Sequence, residues 1–63
     1  MCEANAYIID ENGKESLLLE GVDKLVPEGG SLILENIFGQ KKIVRARIKE
    51  LALVDHKIIL EKE

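Results

Sequence analysis

The chain has 63 residues, which suits one domain over residues 1–63 and leaves room for only a small core. A single cysteine excludes a disulfide within the chain, and one cysteine with one histidine cannot supply a zinc finger or zinc ribbon. A net charge of −3, one Tyr, one Phe and no Trp argue against a general nucleic-acid binder. Because neither disulfides nor structural zinc can reinforce the core, we predict a homodimer.

Short strands separated by turn signals are predicted along the first two thirds of the chain. Apolar and polar residues alternate from Cys2 onward, which predicts a first strand over residues 2–9. Asn12-Gly13 is a strong hairpin signal. The segments that follow are predicted as a strand over 16–19 ended by Gly21, a short strand over 22–26, a turn over 27–30, a strand over 31–37 and a break over 38–40.

Residues 41–54 are ambiguous, because they contain no Gly or Pro and three apolar residues have near-helical spacing. Apolar and basic residues alternate over 44–49, however, and this favours a strand. We predict one long strand, or two joined at a bend near Glu50, with a short helical turn as the alternative. Asp55-His56 then turns into a last strand over 57–60. Six or so short strands favour a small antiparallel barrel of the SH3-like kind.

Cys2 is the residue whose side chain most clearly suggests a chemical function. If Met1 is retained, its amine, the backbone amide of Cys2 and the Cys2 thiolate can converge on one metal ion. If Met1 is removed, Cys2 offers its own terminal amine together with its thiolate. The alternative is a small buried residue on the inward face of the first strand, because free cysteine behaves as a modest hydrophobe. A lone thiol and a start without a basic stretch and apolar run predict a cytoplasmic protein.

Several segments together resemble a known family. They are Met1-Cys2-Glu3-Ala4, Val22-Asp23 leading into Pro27-Glu28-Gly29-Gly30, Asn36-Ile37-Phe38-Gly39 and the closing hairpin over 48–60. With these segments the whole chain resembles the CooT family, small nickel-binding accessory proteins associated with carbon monoxide dehydrogenase. Related sequences are also labelled predicted RNA-binding proteins.

The resemblance implies a homodimer of SH3-like barrels that binds one Ni(II) at the dimer interface, with Cys2 of both subunits as ligands. It also implies a role in delivering nickel to carbon monoxide dehydrogenase or another nickel enzyme. Thiolate and backbone nitrogen form the square-planar set that Ni(II) favours. Two copies of Cys2 would supply two thiolates and two nitrogens, so metal binding and dimer stability would be linked.

A basic run offers an alternative function. If residues 41–49 form a strand, Arg45, Arg47 and Lys49 project from one face and, with Lys42, make a positive stripe suited to phosphates. The usual outcome for such a run is a solvated outer face, balanced by Glu35 or Glu50 on neighbouring strands. Only Tyr7 and Phe38 could stack on bases, so RNA binding is the second hypothesis.

Catalysis and a histidine ligand are not expected. The chain lacks a Ser-His-Asp set, a phosphate-binding loop and a general acid–base pair, so we predict no enzymatic activity. His56, the only histidine, lies in a predicted turn, where a solvated side chain is the ordinary outcome.

Overall fold

The computed structural model describes residues 3–62. All regular elements in this part of the chain are strands, which confirms the predicted all-β class. In chain order the strands are β1 Ala4–Ile9, β2 Glu15–Glu28, β3 Ser31–Asn36, β4 Lys41–Val44, β5 Ala46–Ala52 and β6 Lys57–Lys62. None of the residues from 3 to 62 lies in a helix long and apolar enough to cross a membrane.

The predicted turns connect these strands. In the first turn the backbone N–H of Gly13 donates to the carbonyl of Asp10 at 2.9 Å. The Asp10 carboxylate also accepts the N–H groups of Asn12 and Lys14, each at 2.9 Å. The side chain thus fixes its own turn, as short acidic residues commonly do. Gly29 and Gly30, both with positive φ, make the turn between β2 and β3.

β2 is one strand of 14 residues, whereas the sequence predicted two strands separated at Gly21. The first part of β2 pairs with β1 and the second part pairs with β3. The change of partner occurs at Gly21, which has φ +66° and would place a Cβ 3.4 Å from Ile37 Cγ1. The Gly21 carbonyl accepts the N–H of Ile37 at 2.9 Å. Glycine therefore redirects the strand here without ending it.

The ambiguous segment forms β4 and β5, separated only by Arg45, and no helical turn. The break therefore lies several residues before the predicted bend at Glu50. A register shift between Ile48 and Glu50 does occur in the pairing of β5 with β6. One extra residue in a strand is a β-bulge, which bends the strand without interrupting it.

The strand order β4-β3-β2-β1-β6-β5 differs from the predicted antiparallel barrel in two respects. β1 and β6 run parallel, with Asn5 opposite Lys57 and Ile9 opposite Glu61. Within residues 3–62, β4 and β5 are the edges of the sheet, so hydrogen bonding does not close it into a barrel. The sheet nonetheless curls enough for β5 to contact β3.

The core lies inside this curled sheet and is small. β3 contributes alternate residues to it, namely Leu32, Leu34 and Asn36. Leu34 and Leu60 are the largest fully buried side chains. The other buried hydrophobic residues are Ala6, Leu19, Val22, Leu32, Ala46 and Ile58. Three of the eight buried apolar side chains are no larger than valine. Each buried leucine therefore contributes a large share of the apolar volume of the core.

Candidate metal site and apolar groove

The parallel pairing of β1 with β6 determines what surrounds the amino-terminal end of the chain. Parallel strands begin at the same edge of a sheet, so the start of β1 lies beside the turn that precedes β6. The backbone N–H of Asn5 donates to the carbonyl of His56 at 2.9 Å. The Asn5 side chain also accepts the N–H of Gly21 at 3.3 Å. The start of β1 is therefore held between the β5–β6 turn and the bend of β2.

Cys2 itself lies outside the described residues, so its geometry is not part of the structure. The residues that follow it are Glu3, which is exposed, and Ala4, which is half-buried and pairs with Val22. Within residues 3–62 no group of three His, Cys, Asp or Glu side chains could hold a metal ion.

His56, the only histidine, lies in the turn near this edge, and its side chain is exposed as the sequence predicted. Its backbone adopts φ +55°, the only positive φ of a non-glycine residue in the described part of the chain. Its N–H donates to the carbonyl of Leu53 at 3.2 Å, and its own carbonyl holds Asn5. The described contacts of His56 are thus made by its backbone, which shapes the turn.

Replacement of His56 should separate this backbone role from any role of the imidazole. Asparagine tolerates the left-handed conformation, so His56→Asn should change the free energy of unfolding by less than about 0.5 kcal/mol. Valine is β-branched and tolerates it poorly, so His56→Val should destabilise the protein by about 1–2 kcal/mol. Urea unfolding followed by circular dichroism measures both. Equal losses for the two variants would contradict a backbone role.

An apolar groove opens beside the same end of β1, with a volume of about 410 Å³. We call it the N-terminal groove. Its apolar walls come from β2, β5 and the β5–β6 turn, through Val22, Leu25, Ile48, Leu51 and Leu53. The core residue Ile58 also lines it, as do Glu3 and Ala4. The groove is therefore the place where the core meets solvent between β2 and β5.

The basic residues of the alternative function are exposed but do not share one strand. Lys42 lies in β4, Arg45 lies between strands, and Arg47 and Lys49 lie in β5. The Arg47 Nε atom donates to Glu61 Oε1 at 3.1 Å. An exposed ion pair of this kind contributes roughly 0–1 kcal/mol to folding stability. Arg47 therefore remains largely a solvated surface charge.

The two aromatic side chains lie in different settings. Tyr7 is half-buried on β1, and the Lys57 Nζ atom lies 4.9 Å from its ring centroid. Phe38 is exposed in the turn after β3, beside the bend at Gly21. Neither residue lies on β4 or β5, the strands that carry Lys42, Arg47 and Lys49.

The sequence did not indicate the N-terminal groove, although one signal was present. Ile48, Leu51, Leu53 and Val54 lie within seven consecutive positions at the end of β5 and in its turn. All four are among the exposed large hydrophobic residues of the described chain. The alternation of apolar and polar residues predicted a strand here. It could not show that the folded sheet leaves these four hydrophobic side chains exposed.

Comparisons with known proteins agree with this fold. The family model described as CO dehydrogenase accessory protein CooT matches residues 1–61. A crystal structure of a protein provisionally assigned as CooT, from Carboxydothermus hydrogenoformans, superposes with a TM-score of 0.90 at 58% identity and covers 98% of each chain. An uncharacterized protein of Archaeoglobus fulgidus is 44% identical over 45 residues, which are 71% of this chain and 100% of that protein.

These matches define a small all-β accessory protein of CO dehydrogenase. The chain belongs to the CooT family. It therefore serves the dehydrogenase and is not itself an enzyme.

Proposed function

We propose that this protein binds nickel through Cys2 as a cytoplasmic homodimer and assists its delivery to CO dehydrogenase or another nickel enzyme. The observation that carries the proposal is family membership across residues 1–61, which includes Cys2 and the strand that follows it. Nickel is cargo in this role. The protein must hold the ion firmly enough to carry it and release it to the client.

The donor set at the chain start has the chemistry that Ni(II) prefers. Thiolate and nitrogen ligands suit a square-planar or tetragonal site, in contrast to the tetrahedral sites typical of zinc. One copy of Cys2 supplies one thiolate and its adjacent backbone nitrogen, and two copies complete four ligands. One Ni(II) per dimer is the expected stoichiometry.

The place of Cys2 in the sequence, shortly before β1, also favours a role as a nickel carrier. The chain is held from Asn5 onward by the His56 carbonyl, and Ala4 pairs with Val22. In the sequence Cys2 comes two residues before this anchored strand, and exposed residues of the β5–β6 turn lie at the edge where β1 begins. Glu3 and His56, the described residues at this edge, are exposed, so the edge is accessible to a client protein.

A nickel titration of the wild type and of Cys2→Ser tests the proposal. Wild type should develop thiolate-to-nickel charge-transfer absorption that saturates at half an equivalent of Ni(II) per chain, and Cys2→Ser should show no such band. His56→Asn is the matched control, because it removes the only imidazole near this edge while tolerating the turn conformation. It should bind nickel as wild type does.

The pH dependence gives an independent check. Nickel binding displaces a proton from the thiol, so apparent affinity should fall steadily as pH is lowered. Competition with Cu(II) and Zn(II) in the same assay measures selectivity, with copper expected to bind more tightly than nickel at N/S donors. Identical titrations for wild type and Cys2→Ser, or no binding by either, would refute the proposal.

A further inference from the structure

β4 is an edge strand that pairs on one side only, with β3, among residues 3–62. Three of its four residues are exposed, namely Lys41, Lys42 and Ile43. An exposed edge strand presents backbone N–H and C=O groups that can pair with a strand of another molecule. β4 therefore has the geometry that strand addition by a partner requires.

The hydrogen bonds between β3 and β4 determine which backbone groups face outward. The N–H of Asn36 donates to the carbonyl of Gln40 at 3.0 Å, at the start of this pairing. Hydrogen-bonded pairs recur at every second residue of an antiparallel ladder, so the backbone of Lys42 bonds to β3. The N–H and C=O groups of Lys41 and Ile43 therefore point toward the open edge.

An apolar row crosses the outer face of the sheet and ends at this edge. Val26 of β2 lies opposite Ile33 of β3, and Ile33 lies opposite Ile43 of β4. Side chains directly opposite in antiparallel strands lie on the same face and contact each other. Ile43 is 70% exposed and Val26 is 45% exposed. A strand added to β4 would extend this row by placing an apolar side chain beside Ile43.

Positive charge is concentrated along the same edge. Five of the nine Lys and Arg residues of the chain lie within positions 41–49, which contain no Asp or Glu. Three of them lie in β4 or directly after it, and none of the three forms an ion pair within residues 3–62: Lys41, Lys42 and Arg45. Glu35 lies opposite Lys41, but its Oε1 atom is 3.9 Å from the Lys24 Nζ atom. The edge therefore complements an acidic partner.

We propose that β4 binds an extended acidic segment of a partner protein by strand addition. Acidic side chains of that segment lie beside Lys41 and Lys42, and an apolar side chain lies beside Ile43. A second copy of β4 is a poor occupant, because pairing would bring the cationic side chains of both copies to one seam. Single-stranded RNA is also a poor occupant, because β4 has no aromatic side chain on which bases could stack.

This interaction goes beyond nickel carriage and uses neither Cys2 nor the metal. The backbone pairing supplies affinity for any extended segment, and the lysines with the apolar row select its sequence. Because the charged groups are exposed, binding should weaken as the salt concentration rises.

A synthetic peptide tests the proposal on the full, metal-free chain in the presence of a chelator. The probe is a short blocked peptide of valine and threonine with two adjacent glutamates. Nuclear magnetic resonance titration should shift the amide signals of β4, and the N–H groups of Lys41 and Ile43 should exchange with solvent more slowly. The same peptide with lysines in place of the glutamates should bind about 10-fold more weakly or less. A version with methylated backbone nitrogens, which cannot donate, should also bind more weakly.

Two variants of β4 test the side-chain and backbone contributions separately. Lys42→Glu should weaken binding of the acidic peptide by about 10-fold, because it places like charges together. Lys14→Glu is the matched control, since Lys14 is exposed in the first turn and the charge change is the same. Ile43→Pro removes an outward N–H, which edge strands tolerate, and should abolish binding. Circular dichroism establishes that each variant is folded.

Several results would overturn strand addition of an acidic segment. They are no binding of the acidic peptide, equal binding of the acidic and lysine peptides, or equal effects of Lys42→Glu and Lys14→Glu. Binding of oligouridylate in place of the peptide, lost in Lys42→Glu, would overturn it in favour of a nucleic-acid contact. Cys2→Ser should bind the peptide as wild type does, so this proposal and nickel carriage can fail separately.

Discussion

Replacing Leu60 by alanine should cost about 2–5 kcal/mol of unfolding free energy, the range for deleting a fully buried leucine side chain. Leu60 is completely buried on β6, where it pairs with Ile8 of β1 and Ile48 of β5. It therefore joins the parallel strand pair to the edge strand. A domain of this size typically has a total stability of only about 3–9 kcal/mol. The variant should be largely unfolded or melt far below wild type.

Urea unfolding followed by far-UV circular dichroism, at one fixed protein concentration, measures this loss. Fixed concentration matters because dimerisation would add to the apparent stability. Leu17→Ala is the matched control, because Leu17 is the same residue type but is 51% exposed on β2. It should lose less than about 1 kcal/mol. Similar losses for both variants would show that Leu60 does not lie in the core described.

Removing the side chain of Asn36 should have the second largest effect on stability. Asn36 is the one buried polar residue in the described chain. Its Oδ1 atom accepts the N–H groups of Phe38 at 3.1 Å and Gln40 at 2.8 Å. Its Nδ2 atom donates to Gln40 Oε1 at 2.8 Å. Each such bond contributes about 0.5–1.5 kcal/mol, so Asn36→Ala should destabilise the protein by about 2–3 kcal/mol.

The variant Asn36→Asp separates the acceptor role from the donor role. Aspartate keeps an oxygen for the two backbone N–H groups but removes the side-chain donor, so its loss should fall below that of Asn36→Ala. Asn12→Ala is the control, because Asn12 is exposed in the first turn and should change stability by less than about 0.5 kcal/mol. Thermal and urea unfolding compare the three. A neutral Asn36→Ala would show that water satisfies the turn equally well.

Local sequence signals correctly predicted most turns because turn chemistry acts over a few residues. Asn12-Gly13, the two glycines after Pro27 and the segment after Asn36 each connect strands where expected. Alternation over residues 31–37 likewise predicted a strand there, and β3 spans Ser31–Asn36. These features depend on backbone conformation and on period-two alternation, and residues close together in the sequence determine both.

Two strand boundaries were predicted wrongly because glycine and proline alone were used to mark where strands end. Gly21 was interpreted as the end of a strand, but β2 continues through it because the Gly21 carbonyl finds a new partner in Ile37 of the chain beyond β3. Nothing in the neighbouring residues specifies that partner. The break at Arg45 was missed for the opposite reason, since no Gly or Pro marks it. There the chain moves from one sheet edge to the other.

The sequence by itself determined an all-β chain and its main turns, because these follow from residue type and local spacing. The metal-binding role of Cys2 stays a prediction. Only the tertiary structure decided the parallel pairing of β1 with β6, the open edges at β4 and β5, and the N-terminal groove. Strand pairing joins residues more than fifty positions apart, such as Asn5 and Lys57, and its free energy depends on the whole curled sheet. Which hydrophobic residues stay uncovered is therefore a property of the fold, and no local pattern contains it.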